Sequence, residues 1–221
     1  HKYSMEHKQI KRAVNRSQHC QRNWDLTKDI PEQDLKLIIH AATQCPSKQN
    51  IAFYKVHATT NRKIIENIHD TTSGFTNYET GKYETNSQTL ANLLIAFERD
   101  DHLHRHTSDN IFRNDEMNTL DTVGEMTEGQ KACLERDAFM AIGIAAGYVN
   151  LTSSMLGYGT GFCACFDEKE VANIVGAENP IKLLMGIGFK DETRPRREHH
   201  SKPQFVYPSK SKQKIQVNLI N

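Results

Sequence analysis

The stretch from Glu135 to Phe166, ERDAFMAIGIAAGYVNLTSSMLGYGTGFCACF, decides the fold of this chain. Its first part predicts a helix with two apolar stripes, one of Phe139, Ile142, Ala146 and Val149 and the other of Met140, Ile144, Leu151 and Met155. A helix without a polar face is buried on all sides, either at the centre of a domain or between two subunits. Small residues in its middle allow a close backbone approach: Gly143, Ala145, Ala146 and Gly147.

The sequence after this helix predicts a glycine turn, a short strand and another helix. Gly157 and Gly159 end the long helix, and a strand is expected from Gly161 to Cys165. Asp167, followed three residues later by Glu170, is a typical capping pattern for a further helix. Together these elements predict a scaffold on which main-chain groups can hold a flat ligand.

Length and composition restrict the class of protein. The chain has 221 residues, and residues 5–221 are expected to form a single domain. Its 28 Lys+Arg balance 27 Asp+Glu, which gives no charge surplus for nucleic acid or an anionic membrane. Neither an uninterrupted apolar run of about 18 residues nor a signal region is present in the sequence. Five cysteines without a CxxC spacing predict reduced thiols and a cytoplasmic location.

The N-terminal part of the chain predicts a basic amphipathic helix. Residues Met5–Arg16 are expected to be helical, with Ile10 and Val14 facing the interior. The outward face carries the cations Lys8, Lys11 and Arg12. The polar sequence that follows is expected to bring together in one loop Arg16, Ser17, His19 and Arg22. Two arginines beside a hydroxyl can bind a phosphate, although such loops are also common on ordinary surfaces.

Further helices and strands are marked by local signals. One helix begins near Pro31 and ends before Pro46, because the residue before a proline resists helical angles. Asn61 is expected to cap another helix. Three strands are predicted, at residues 53–59, 90–97 and 181–189. The apolar segment Val217–Ile220 predicts a terminal strand, within a C-terminal extension from about residue 203 that is expected to pair with a partner subunit.

A metal site is not predicted. His102, His104 and His106 would share one face of a strand, but no cysteine or glutamate lies at a companion spacing, and a solvated loop is the favoured interpretation. Cys163 and Cys165 also lack further ligands nearby in the sequence.

The order of these features resembles the FMN-dependent nitroreductase family. It comprises an Arg-Ser pair, a Pro-Ser-x-x-Asn turn before the first strand, the apolar helix with its Gly-rich strand, and a strand ending in Gly-x-Gly before several arginines. The resemblance extends from about Ile10 to Val206. It implies an α+β fold with a mixed, mainly antiparallel sheet flanked by helices, and a homodimer with two FMN sites at the interface.

The resemblance assigns the FMN phosphate to five residues. Arg16 and Ser17 match the family's Arg-Ser loop, and Arg22 matches its second basic residue. Because this loop is longer than is usual in the family, His19 is an alternative to Arg22. Arg194 and Arg196 match a C-terminal basic pair at the phosphate.

The resemblance assigns the flavin ring to main-chain groups and to the partner subunit. Pro46, Ser47 and Asn50 match the turn that touches the flavin from the other subunit. Ala164 and Cys165 fall where the family offers a backbone N–H to flavin N5. Since the flavin carries the reaction, no catalytic side chain is expected.

The implied activity is reduction of FMN by NADH or NADPH, followed by transfer to a small-molecule acceptor such as a nitroaromatic or a quinone, in ping-pong order. Two alternatives remain open at this point. A lid formed between Thr71 and Gln130 would favour another reaction on the same fold, such as reductive dehalogenation or flavin cleavage. The basic tail, with RPRREHHSK and KSKQK, would instead suit a nucleic-acid-binding module with a degenerate flavin site, although the charge balance opposes it.

Overall fold

The structure is a computed structural model that describes residues 6–76, 78, 81, 83–100, 127–208 and 210–220. The α-helices within these residues are α1 (His7–Ser17), α2 (Glu32–Thr43), α3 (Arg62–Asp70), α4 (Glu128–Met155) and α5 (Glu168–Val175). The strands are β1 (Tyr54–Thr59), β2 (Phe75–Thr76), β3 (Tyr83–Glu84), β4 (Leu93–Arg99), β5 (Gly159–Cys163) and β6 (Ile181–Gly188). The α+β class expected from the sequence is therefore confirmed.

The main sheet has four strands in the order β1-β4-β6-β5, and each neighbouring pair is antiparallel. Strands β2 and β3 form a separate two-stranded hairpin. The sequence predicted a mixed sheet, but within the described residues parallel pairing is limited to an isolated bridge between Cys20 and Thr160. That bridge places the segment after α1 beside the edge strand β5.

Local capping signals fix the ends of several helices as the sequence predicts. The Asn61 side chain accepts a hydrogen bond from the Ile64 amide, at 3.1 Å, at the start of α3. Asp167 accepts hydrogen bonds from two amides at the start of α5. After α4, Gly157 has a φ of 93°, which favours glycine and turns the chain into β5.

The sheet lies between two apolar layers. Strand β4, from Leu93 through Phe97, is fully buried, since α3 and α5 cover one face of the sheet while α2 and α4 cover the other. Glycine is required in β6 at Gly186, where a Cβ atom would lie 1.9 Å from the carbonyl oxygen of Gln88. The strands on which the site is built are therefore held rigidly from both sides.

Helix α4 is buried on one face only, which differs from the burial on all sides expected from its sequence. Its buried face includes Ala138, Ile142 and Val149, and it packs against α1 and α2. The opposite face leaves five large apolar side chains exposed: Phe139, Met140, Ile144, Tyr148 and Met155. By length and hydropathy alone α4 could also cross a membrane. Its buried residues include the polar Asp137, Ser153 and Ser154, which is typical of a helix that belongs to the core of a folded domain.

Two other expectations on burial and strand formation are wrong for the single chain. Ile10 and Val14 were expected to face the interior, but they are 43% and 49% exposed, and Ala13 is the buried residue of α1. Apolar periodicity alone does not distinguish a core from a surface that another chain covers. The segment Val217–Ile220 forms no strand, and its apolar side chains are exposed.

Candidate functional site

The end of α1 is fastened to the end of α4 by polar contacts. A guanidinium nitrogen of Arg16 donates to the Ser154 carbonyl oxygen at 3.0 Å, and the Ser154 hydroxyl donates to the Ala13 carbonyl oxygen at 2.8 Å. The Asn150 side chain donates to the carbonyl oxygen of Ser17 at 2.8 Å. Arg16 and Ser17 therefore lie in the last turn of a helix and not in a loop. The Ser17 hydroxyl donates to the Val14 carbonyl oxygen at 2.7 Å, within α1.

A cavity of about 770 Å³, here called the basic cavity, lies beside this helix end. Its lining residues are Gln18, His19, Cys20, Arg22, Phe75, Thr76, Tyr78, Arg196, Arg197, Tyr207, Pro208 and Lys210. Arg196 donates to the Cys20 carbonyl oxygen at 2.9 Å, and the Arg22 amide donates to the Arg196 carbonyl oxygen at 2.9 Å. Thus Arg22 and Arg196, which lie far apart in the sequence, line one cavity. Arg16 and His19 line a second, adjoining groove.

The electrostatic environment of the basic cavity favours an anion. Burial, together with the nearby charges of Arg196 and Lys190, lowers the pKa of His19. The Arg22 Nε is buried and has no hydrogen-bond partner among the described residues. An unpaired buried guanidinium nitrogen beside a second arginine is suited to a ligand such as a phosphate.

Tyr207 is a site residue that the sequence analysis missed. The Arg22 guanidinium lies over the Tyr207 ring, 4.1 Å from its centre, while the Tyr207 hydroxyl donates to the Thr85 carbonyl oxygen at 2.7 Å. Arg22 itself donates to the same carbonyl oxygen at 3.3 Å. The ring therefore holds Arg22 in place from the C-terminal segment.

Arg194 does not line the basic cavity, unlike Arg22 and Arg196. Its guanidinium donates to Glu198 Oε1 at 3.0 Å and to the carbonyl oxygens of His199 and His200 at 3.2 Å and 2.6 Å. Burial is the main cause that lowers the pKa of His199 to about 3 and that of His200 to about 4, so both rings are neutral near pH 7. In this structure Arg194 orders the turn that presents Arg196, and direct contact of Arg194 with a phosphate stays a prediction.

Ala164 and Cys165 lie just beyond the end of β5, which is two residues earlier than the sequence predicted. Both are exposed, and the Cys165 carbonyl oxygen accepts a hydrogen bond from the Ser73 amide at 2.8 Å. The preceding Cys163 is buried, and burial raises the pKa of its thiol to about 11. Cys163 is therefore an uncharged core residue and not a nucleophile, while Ala164 and Cys165 lie at the surface. Contact of their backbone N–H groups with a ligand stays a prediction.

The turn from Pro46 to Asn50 has an unusual backbone. Gln49 and Asn50 have φ angles of 54° and 55°, the only left-handed non-glycine residues in the described part of the chain. Two successive residues of this kind are uncommon, and strain of this type concentrates at functional sites. The Ser47 hydroxyl donates to the Ile51 carbonyl oxygen at 2.7 Å, which stabilises the turn. Gln49 is a feature of the site that only the backbone angles reveal.

This turn is attached to the opposite end of α4 from the basic cavity. Lys48 Nζ lies 2.7 Å from Asp137 Oδ2, and the hydrogen bond from Lys48 is the main cause that lowers the pKa of Asp137. Arg16, in contrast, is bound to Ser154. At 1.5 Å per residue, Asp137 and Ser154 are separated by about 25 Å along the helix. Within one chain, therefore, the turn and Arg16 are attached near opposite ends of α4.

No metal centre is found among the described residues, which contain no group of three or more His, Cys, Asp or Glu side chains placed to bind an ion. The histidine cluster His102, His104 and His106 considered in the sequence analysis lies outside the described residues.

Solved structures with similar folds come from several bacteria. A nitroreductase family protein of Streptococcus pneumoniae TIGR4 has 20% identity and a TM-score of 0.62, covering 90% of this chain and 94% of its own. A proposed nitroreductase of Exiguobacterium sibiricum 255-15, solved in complex with FMN, has 15% identity and a TM-score of 0.62, with coverage of 96% and 95%. A proposed NAD(P)H:FMN oxidoreductase of Staphylococcus epidermidis has 15% identity and a TM-score of 0.61, with coverage of 86% and 91%.

The search of curated proteins finds no match. The sequence model of the Nitroreductase family, in contrast, matches residues 16–189. That match starts at Arg16, at the end of α1, and includes α4, the sheet and the Pro46–Asn50 turn. Since the match covers most of the chain, this protein is a member of the Nitroreductase family.

Proposed function

We propose that this protein is an FMN-dependent oxidoreductase that uses NADH or NADPH to reduce a small-molecule acceptor, such as a nitroaromatic or a quinone. The observation that carries this proposal is the convergence of Arg22 and Arg196 on one cavity beside the end of α1. Relatives named as FMN-binding or NAD(P)H-dependent proteins share the fold and support the proposal. We expect the enzyme to work in the cytoplasm.

The residues present fit FMN in two ways. The unpaired Nε of Arg22, the guanidinium of Arg196 and the nearby Arg16 suit a phosphate dianion. The exposed residues Ala164 and Cys165, just beyond the end of β5, suit a flat ring whose polar atoms are met by main-chain groups. The remaining predicted contacts, at Pro46, Ser47 and Asn50, require a second chain, because the turn lies about 25 Å away along α4.

A homodimer would supply this second chain. Gly143, Ile144, Gly147 and Tyr148 lie around the midpoint between Asp137 and Ser154, on the exposed face of α4. A Cβ atom on Gly143 or Gly147 would meet no other atom of this chain within 4 Å, so packing inside the chain does not require glycine there. Two antiparallel α4 helices crossing at this midpoint would bring the Asp137 end of one chain to the Ser154 end of the other. One partner's turn would then face the other's basic cavity.

The C-terminal extension supports the same arrangement. From about residue 203 the chain continues along the surface, and it exposes Ile215, Val217 and Leu219 at alternating positions. Alternation with a period of two is typical of a strand that needs a partner to cover one face. We propose that this segment pairs with the partner subunit.

In this enzyme the protein binds and orients, and FMN held by these residues would supply the redox chemistry between the nicotinamide and the acceptor. Arg22 and Arg196 fix the phosphate, and the amides near Cys165 fix one edge of the ring. The partner's turn excludes water from the other edge.

Steady-state kinetics test this function. If nicotinamide and acceptor bind in turn over the same face of the ring, initial rates at several fixed acceptor concentrations should give parallel double-reciprocal lines. Lines that intersect would show that both substrates are bound together, which contradicts the ping-pong order. Absence of any turnover with NADH or NADPH would contradict the proposed activity itself.

A further inference from the structure

One strongly charged surface extends beyond the proposed FMN contacts. The open groove beside the basic cavity has a volume of about 400 Å³ and is lined by Lys8, Lys11, Arg12, Asn15, Arg16 and His19. Neither this lining nor helix α1 includes an acidic side chain. Positive charge in the groove is therefore not compensated by the residues that form it.

The helical spacing explains why these cations share one surface. Residues 8, 11, 12 and 15 follow the i, i+3, i+4 pattern, which places their side chains on one face of α1, and His19 follows just beyond the end of this helix. The apolar residues Ile10 and Val14, which we expect to face the partner subunit, lie on another face of α1. The cationic face is therefore separate from the apolar surface available for dimerisation.

The groove continues directly from the proposed cofactor phosphate site. His19 lines both the groove and the basic cavity, and Arg16 lies at their junction, bonded to Ser154. Between Arg16 and Lys8 the cationic face extends along α1 for about 12 Å, at 1.5 Å per residue. A ligand held here would have an anionic group well beyond the FMN phosphate.

We infer that this groove binds the adenosine 2′-phosphate of NADPH, and that the enzyme prefers NADPH to NADH. The inference rests on the proposed function, because it assigns residues of this chain to a second part of the same substrate, NADPH. NADPH and NADH differ only in this phosphate, which carries close to two negative charges at neutral pH and suits two or three unpaired cations. Lys11 and Arg12, in the middle of the groove, are the central residues of this site.

Substrate preference tests the inference in the FMN-loaded protein. We expect kcat/KM to be at least about tenfold higher with NADPH than with NADH, the effect of one charge-assisted hydrogen bond. In the double variant Lys11→Gln/Arg12→Gln, kcat/KM for NADPH should fall by about tenfold to a hundredfold, mainly through KM. With NADH the change should be less than about twofold, because that nucleotide lacks the phosphate.

A matched control separates this site from the effect of net charge. Lys63 on α3 and Lys169 on α5 are exposed and lie outside both cavities, so Lys63→Gln/Lys169→Gln removes the same charge elsewhere. This control should retain the NADPH preference. Equal kcat/KM for the two nucleotides in the unmodified protein, or an equal loss with both in the Lys11/Arg12 variant, would overturn the inference.

Direct binding keeps the inference testable even if no turnover is found. Adenosine 2′,5′-diphosphate should bind the FMN-loaded protein more tightly than adenosine 5′-diphosphate, which carries a similar charge at another position, and the difference should disappear in the Lys11/Arg12 variant. Equal binding of the two compounds would show only a general attraction for anions and would contradict the 2′-phosphate site. Equal binding together with tight, salt-sensitive binding of an oligonucleotide would favour a nucleic-acid surface instead.

Discussion

Replacing Ile144 by glutamate is expected to dissociate the dimer and release FMN. Ile144 is 40% exposed in the single chain and lies near the middle of the exposed face of α4, where the proposed two-fold axis crosses. Each dimer would bury two like charges close together without partners. An unpaired buried charge costs about 3–5 kcal/mol, so the dimer should weaken by at least about a thousandfold, since 1.4 kcal/mol is a factor of ten. Sedimentation at micromolar concentration should show monomers.

The matched control for this prediction is Asn67→Glu. Asn67 is an exposed residue of α3, on the far side of the sheet from α4, so the same negative charge there should leave a stable dimer. The Ile144→Glu monomer should also lose FMN, because the partner's turn from Pro46 to Asn50 would be missing. A variant that remains a dimer, or a monomer that keeps its FMN, would contradict a site shared between two chains.

Replacing Arg196 by alanine is expected to weaken FMN binding by about tenfold to a hundredfold. A charge-assisted hydrogen bond to a phosphate contributes about 1.5–3 kcal/mol, and every 1.4 kcal/mol is tenfold in affinity. Riboflavin lacks the phosphate, so its binding should be almost unchanged by the same replacement. Titration of the apoprotein with both compounds, followed by flavin fluorescence, measures the two affinities.

Arg194→Ala is the comparison variant, because it removes the same charge from the adjacent turn. Arg194 is bonded to Glu198 and to two carbonyl oxygens, so we expect Arg194→Ala to lower the free energy of unfolding. Its effect on FMN affinity should be smaller than that of Arg196→Ala. If Arg196→Ala weakens riboflavin and FMN equally, then Arg196 supports the fold or the ring through its bond to Cys20, and the phosphate assignment is wrong. If only Arg194→Ala weakens FMN selectively, Arg194 is the phosphate ligand.

The parts of the fold that the sequence predicts best depend on local signals. Asn61 and Asp167 cap their helices as expected, because a capping side chain needs only the amides two or three residues ahead. The strands near residues 54–59 and 181–188 were recognisable as short apolar runs between turns. Strand β4 begins at Leu93, three residues later than expected, and ends at Arg99, two residues later, because its pairing with β1 continues from Leu94 to Arg99.

The features that the sequence did not predict depend on tertiary contacts. An apolar pattern does not reveal whether another element of the same chain or a second chain covers it, and for this reason Ile10 and Val14 were expected in the interior although they are exposed in the single chain. The exposed half of α4 agrees with the other interpretation of its sequence, burial between two subunits, which stays a prediction. Arg194 and Arg196 lie two residues apart in the same basic segment, and the folded structure distinguishes them, because Arg194 donates to Glu198 whereas Arg196 donates to the Cys20 carbonyl oxygen. The stacking of Tyr207 on Arg22 joins residues far apart in the chain and has no local signal.

The absorption spectrum of the purified protein tests the central claim most directly. The account predicts a yellow protein with the visible bands of oxidised flavin, from which heat or acid releases free FMN in an amount equal to one molecule for each chain. Addition of NADPH without oxygen should bleach these bands. A colourless protein that also fails to bind added FMN would contradict the account.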